Sequence, residues 1–299
     1  MMPDSDKLPD LDEAVINALN FFSGKSLDLN ISFKFPIVAG SGNAVPAGKI
    51  LFSDKCAGFS TESTFRQVYE TYKNYADGVV VISSSGSKDS VQIAEFFQQK
   101  NLPVKLLTCT ENSECGHVVG IENTIVSPKL SEPYTYNTST YMGMILGKTR
   151  ENPEAILRYL EATDISGTIG KYSAYVIVVP DKFVHICDMY KTKFDELLCP
   201  HVFGRAFTEG TARHAKNISI SNEELWIGIG ANVNYYGTQR LHIPIPENAD
   251  YGLMMAVGYY LIGKIQKTNY PWFKENIEEY CKVRGPVPYG RTKPFDVVG

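Results

Sequence analysis

No stretch of the chain is basic enough to attract nucleic acid or an anionic membrane. Its 29 lysines and arginines are scattered and stand against 33 aspartates and glutamates, a formal net charge of -4. A small anion can still be held where local geometry supplies the donors. No apolar run approaches the roughly 20 residues that span a bilayer. The start from Met1 to Asp12 is polar and acidic, without the basic and apolar regions of a secretory signal. The six cysteines (Cys56, Cys109, Cys115, Cys187, Cys199 and Cys281) form no CxxC pair and read as buried or idle thiols. Cys115 and His117 could open a zinc site, but no second ligand pair follows at zinc-like spacing. The 18 tyrosines and 15 phenylalanines form no regular stacking platform for nucleic acid, so these rings are assigned to the core and a subunit interface. What remains is a cytoplasmic protein expected to need no metal, cofactor, membrane or nucleic acid.

With 299 residues, 43% of them hydrophobic, the chain can build two ordinary domains. Short β-rich runs occur at Pro36–Ala39, Gly78–Ile82, Val104–Leu107 and Thr124–Val126. Between and after them lie segments of helical spacing, Ser90–Gln99, Tyr141–Gly147 and Asn152–Glu161. Strands alternating with helices imply a parallel sheet covered on both faces. After Asp164–Gly167 the alternation restarts. It gives strands at Tyr175–Val179, Leu225–Ile229 and His242–Ile245, and helices over Cys187–Leu198 and Tyr251–Ile265. The order of elements recurs, although the sequence itself does not repeat.

Three turns carry candidate chemistry. The first strand runs into Gly40-Ser41-Gly42-Asn43, a glycine-rich entry to a helix whose backbone N–H groups can face an anion. It is equally a tight βα turn. It is not a nucleotide loop, because Asn43 stands where the P-loop requires glycine and Ile50 where it requires Ser or Thr. The second strand ends in Ser83-Ser84-Ser85-Gly86-Ser87-Lys88-Asp89-Ser90. Its hydroxyls, glycine and lysine lie between a buried strand and a helix, which suits a phosphate. One serine is accounted for as a helix cap, but the set is not. A third cluster, Asn137-Thr138-Ser139-Thr140, precedes an apolar helix. Three such turns would converge at the carboxyl ends of neighbouring strands.

These motifs resemble the sugar isomerase (SIS) domain family. Its phosphosugar loop of Ser-x-Ser-Gly type is matched by Ser83-Ser84-Ser85-Gly86-Ser87, its earlier turn by Gly40-Ser41-Gly42-Asn43 and its later one by Ser139-Thr140. Phe65-Arg66 echoes a Phe-Arg pair of glucosamine-6-phosphate synthase isomerase domains. Lys88 stands where the family usually has threonine, and Tyr141 where the synthase type has lysine. In the second half, Ala206–His214 resembles an aromatic followed by Gly-Glu-x-Lys-His. Thr211 occupies the catalytic glutamate's position, with Glu209 two residues earlier. Arg291-Thr292-Lys293 is similar to the family's C-terminal ending, whose lysine enters the site.

The resemblance implies an α/β fold of two tandem SIS-type (flavodoxin-like) three-layer α/β/α domains with parallel sheets, at 12–165 and 166–299. It implies a homodimer that acts on a sugar phosphate. Gly42, Asn43, Ser83, Ser85, Ser87, Lys88, Ser90, Ser139 and Thr140 would hold the ligand. For aldose–ketose chemistry Glu209 is the candidate base, His214 the ring-opening group and Lys293 the residue at the carbonyl end. Glu62 is either a helix cap or a border of the pocket, and Glu132 a partner for sugar hydroxyls. The alternative is a regulatory protein that keeps the phosphate cradle without the chemistry.

Overall fold

The computed structural model describes residues 8–25, 27–163, 169–283 and 295–296. They divide into two compact units that interleave along the chain. One holds residues 25, 27–129 and 143–150, and the other 8–24, 130–142, 151–163, 169–283 and 295–296.

The first unit is built on five strands: β1 (Pro36–Gly40), β2 (Gly58–Ser60), β3 (Gly78–Ile82), β4 (Val104–Thr108) and β5 (Thr124–Val126). They pair in the order β2-β1-β3-β4-β5, all parallel. β1 and β3 are buried along their whole length, which is why they read as unbroken apolar runs. Helices α3 (Phe65–Tyr72), α4 (Asp89–Gln99) and α5 (Glu114–Val119) send Phe65, Ile93, Phe97 and Cys115 against Ile37, Ala39, Val79 and Val81. Helix α2 (Ala44–Leu51) covers the opposite face, where Gly48 lies against Val38 and Ile82. The neighbouring strands β1 and β3 therefore feed helices on opposite faces, and their loops part at the carboxyl edge. That divergence opens a crevice in sheets of this order.

In the second unit, β7 (Ala174–Val179), β8 (Phe203–Thr208), β9 (Glu224–Ile229) and β10 (Gln239–Ile243) form a parallel sheet of order β10-β9-β7-β8. Read from β8, this is the same 2-1-3-4 winding as the first sheet. Val176, Val178, Trp226 and Val233 pack with Ala212 of α9 (Glu209–His214) on one face. On the other side lie α8 (Ile186–Leu197) and the almost wholly buried α10 (Tyr251–Thr268). Helices α1 (Leu11–Phe22), α7 (Pro153–Ala162) and α11 (Trp272–Val283) complete this unit. A short antiparallel pair joins β6 (Glu132–Pro133) to β11 (Phe295–Asp296).

Two strands of the parallel sheets escaped the sequence pattern. β2 has only three residues, Gly-Phe-Ser. β8 is interrupted by Gly204, yet that glycine is what the packing needs, because a Cβ there would lie 1.8 Å from the Phe194 ring. β10 ends before Pro244, which has no N–H to give to a ladder. Helix α6 spans Thr138–Thr149 and begins three residues earlier than its apolar spacing suggested.

Candidate functional site

The serine-rich loop leaves β3 at the crevice, with Gly40 of β1 level with Ile82 in the register. Its shape is set by groups of the β4 edge. The Ser84 carbonyl accepts three donors, Cys109 N (3.0 Å), Thr108 Oγ1 (3.1 Å) and Thr110 Oγ1 (3.1 Å). The Gly86 carbonyl accepts Cys115 N (2.8 Å). In a trans peptide the N–H lies opposite the C=O. With both carbonyls drawn toward β4 and α5, the N–H groups of Ser85 and Ser87 are directed the other way. The loop is thus held in the polarity that an anion requires.

Side chains complete this surface. The hydroxyls of Ser85 and Ser87 lie 2.9 Å apart, and both residues are half-buried. Ser83 Oγ accepts the Gly86 N–H (3.1 Å) and keeps its own proton for a ligand. Lys88 is exposed at the N-cap of α4, with no side-chain cap bond there. Ser90 differs from its neighbours: it is 4% exposed, and its hydroxyl donates to Ser87 O at 2.9 Å. It shapes the first turn of α4 and does not face outward. At the neighbouring turn Gly42 has φ +55° and is exposed. Asn43 is buried at the N-cap of α2, and its Oδ1 has no hydrogen-bond partner.

The third turn lies in the other unit and is already filled. Glu132 is buried, and its carboxylate accepts Thr138 N (3.0 Å), Ser139 N (3.1 Å) and Ser139 Oγ (2.8 Å). Ser139 Oγ in turn accepts Leu130 N (2.9 Å). Ser139 and Thr140 are both 0% exposed. The α6 N-terminus therefore holds an anion of the chain's own, and Glu132 is a helix cap rather than a partner for sugar hydroxyls. Burial pushes its carboxyl above the usual range, against the opposing Ser139 hydroxyl and the amides of Thr138 and Ser139. The acid six residues upstream was the signal for this cap, outside the usual Ser-x-x-Glu spacing.

Glu209 is the first residue of α9, after a capping box between Thr208 and Thr211. Its Oε1 accepts Asn232 N (2.9 Å), beyond the end of β9. His214 is exposed at the last position of α9. Five residues separate the two, about 140° around a helix, so they face different sides of α9. Asp181, beyond the end of β7, accepts Gly210 N (2.9 Å). The Thr208 hydroxyl, then the Gly210 N–H, hold its carboxyl below the usual range. β9 passes to β10 through residues 230–238 with no intervening α-helix. Lys293 lies outside the described residues.

Glu62 is exposed, next to the interlocked hydroxyls of Thr61, Ser63 and Thr64. Cys115 is buried, its Sγ donating to Ser90 O, and burial pushes its thiol up to about 11. His117 is exposed, so these two side chains do not share one face of α5. Among the described residues one acidic group, Asp10, Asp12 and Glu13, is compact enough for a metal ion. Lys274 meets Asp10 at 2.9 Å, Lys264 and Lys267 meet Asp12 at 3.1 and 2.9 Å, and Lys267 meets Glu13 at 2.8 Å. Three ammonium groups balance three carboxylates, which makes this an ion-pair network that ties α1 to α10 and α11. No helix among the described residues is long and apolar enough to cross a membrane.

No family description matches the sequence, and no curated protein matches it. Solved structures do. Glucosamine-6-phosphate deaminase from Thermotoga maritima superposes with a TM-score of 0.62 at 12% identity, over 86% of this chain and 94% of that one. Tagatose-6-phosphate ketose/aldose isomerase from Escherichia coli gives 0.56 at 14% identity, over 88% and 89%. The C-terminal domain of glucosamine-fructose-6-phosphate aminotransferase from Francisella tularensis gives 0.55 at 12%, over 86% and 93%. The fold of this chain is thus the one shared by these three structures.

Proposed function

We propose that the chain binds a phosphorylated sugar in the crevice between the loops of β1 and β3, and interconverts its aldose and ketose forms through an enediol. An amino-sugar phosphate isomerised or deaminated by the same chemistry belongs to this reading. The observation that carries it is the 83–90 loop. Its carbonyls at Ser84 and Gly86 are clamped toward β4 and α5, so amides and the hydroxyls of Ser83, Ser85 and Ser87 are left to meet a phosphate. Gly42, Asn43 and Lys88 border that surface. Ser139 and Thr140 are left out of the ligand set because Glu132 already occupies their turn.

Isomerisation needs a base to take the proton from C2 and return it to C1 while the neighbouring oxygens exchange a proton. Glu209 is assigned as that base, His214 as the group that opens the ring and Lys293 as the group at the carbonyl end. The reading includes two SIS-type halves, 12–165 and 166–299, a homodimer, and a cytoplasmic setting without a cofactor. The second reading is a binding or regulatory protein without chemistry. It is favoured by one observation, the Asn232 amide that engages the Glu209 carboxylate.

Incubation in D2O with hexose and hexosamine 6-phosphates, followed by proton NMR, tests both. Loss of the C2 proton signal or growth of the partner ketose is expected. Ligand line broadening without exchange would move the protein to the second reading. A panel in which no sugar phosphate broadens would overturn the phosphate cradle itself.

A further inference from the structure

A cavity of about 580 Å³ opens between the C-terminal end of α8, the turn at Thr135 and one face of α11, a size that accommodates a small molecule. Trp272, Phe273 and Tyr280 of α11 form its aromatic wall, and Leu197 and Ile277 add aliphatic surface. His201 stacks on Trp272 with ring centres 4.3 Å apart, which fixes that ring. The polar side carries one sign of charge. Asp195 and Glu196 lie in the last turn of α8, which holds no basic residue, and the negative end of the helix dipole falls at the same place. Lys193, wholly buried, offsets one of the two acids: its ammonium pairs with Glu196 and donates to Thr135 O at 2.6 Å. Asp195 is exposed, and among the described residues its polar contact is the Cys199 thiol, with Sγ 3.5 Å from Oδ1. A thiol is a weak donor and brings no positive charge. Among the described residues no lysine or arginine lines the cavity.

We propose that this cavity binds a small organic cation, an alkylammonium whose apolar body meets the aromatic wall and whose charge is met by Asp195 and the end of α8. Three features converge on a positive charge. An aromatic face attracts an ammonium through its quadrupole, most strongly for Trp. Asp195 supplies an opposite charge at the rim, and the α8 dipole adds to it. A phosphate or carboxylate would meet that acid and that helix end, and both repel it. The site is independent of the phosphosugar reading, because every residue that lines it belongs to the second unit and the serine loop belongs to the first.

Calorimetric titration of the full chain with choline and with dimethylbutanol, its uncharged carbon isostere, tests this. Wild type is expected to bind choline about tenfold or more tightly than the isostere. D195N keeps the size of an exposed side chain and removes its charge, so the core is untouched. It should weaken choline by about threefold or more and leave the isostere within about twofold of wild type. W272L should weaken both probes, and the serine-loop variant S85A/S87A neither. A wild type that binds the two probes alike, or binds neither, overturns the proposal. So does choline affinity that is unchanged in D195N, or choline binding that disappears in S85A/S87A.

Discussion

At the scale of single residues, the candidate site depends on a few atoms whose freedom is already taken. Gly86 shows this best. Its φ is +58°, and a Cβ there would come within 2.4 Å of Ser113 Oγ. Ser113 cannot swing away freely, because that oxygen accepts Gly116 N and caps α5. Gly86→Ala is expected to destabilise the first unit by about 1–3 kcal/mol and to weaken sugar-phosphate binding together with it. Urea denaturation and titration of the same variant check this; wild-type stability with intact binding would mean that the loop is not held as described. Ser139 makes the opposite case. Ser139→Ala removes a donor from buried Glu132 and the acceptor of Leu130 N. It should cost about 1–3 kcal/mol and leave phosphosugar affinity unchanged. A loss of affinity without a loss of stability would restore Ser139 to the ligand set. The sequence presents these two serines alike, each beside a helix start in a hydroxyl-rich run. What separates Ser85 from Ser139 is the carboxylate across the turn, and composition around a turn does not show whether it is already occupied.

At the scale of elements, the second unit places its own carboxylates on several helix N-termini. In the second unit carboxylates of the chain lie on three of them. Glu132 caps α6, Asp181 meets α9, and Glu151 accepts the amides of Asp250, Gly252 and Leu253 at the start of α10. In the first unit α2, α3 and α4 start without a side-chain cap bond. The alternation of strands and helices was legible in the sequence because buried parallel strands are continuous apolar runs. The contrast in capping was not, because Glu151 and Asp181 reach their helices across 99 and 29 residues. Asp181 gives this contrast a pH signature. Its carboxyl is held below the ordinary value of 3.8 by the Thr208 hydroxyl and the Gly210 amide. The folded state thus binds this proton more weakly than the unfolded chain. The stabilisation is complete above 3.8 and is lost as pH falls through the lower folded-state value. Asp181→Asn should therefore lower the urea midpoint at pH 7 and converge with wild type as pH falls through the lowered folded-state value. A gap that stays constant across that range would assign the effect to packing instead.

At the scale of the whole molecule, two sheets of the same winding order offer two crevices, and the resemblance alone would allow a ligand in each. Their chemistry argues against it. In the first sheet the loop of the third strand enters α4 with hydroxyls and a lysine at its start. In the second, β9 enters residues 230–238 with no helix to offer its N-terminus to a phosphate. Asp181 occupies the start of α9, and Glu209 takes the Asn232 amide beyond β9. An approaching phosphate would meet two carboxylates on the donors it needs, and these like charges repel it. One sugar phosphate should therefore bind per chain, a stoichiometry readable by calorimetry on protein of known active concentration. The S85A/S87A double variant should remove all of that binding. Two equivalents per chain, or one equivalent that survives the double variant, would place a phosphate site in the second sheet and require Asp181 or Glu209 to move aside.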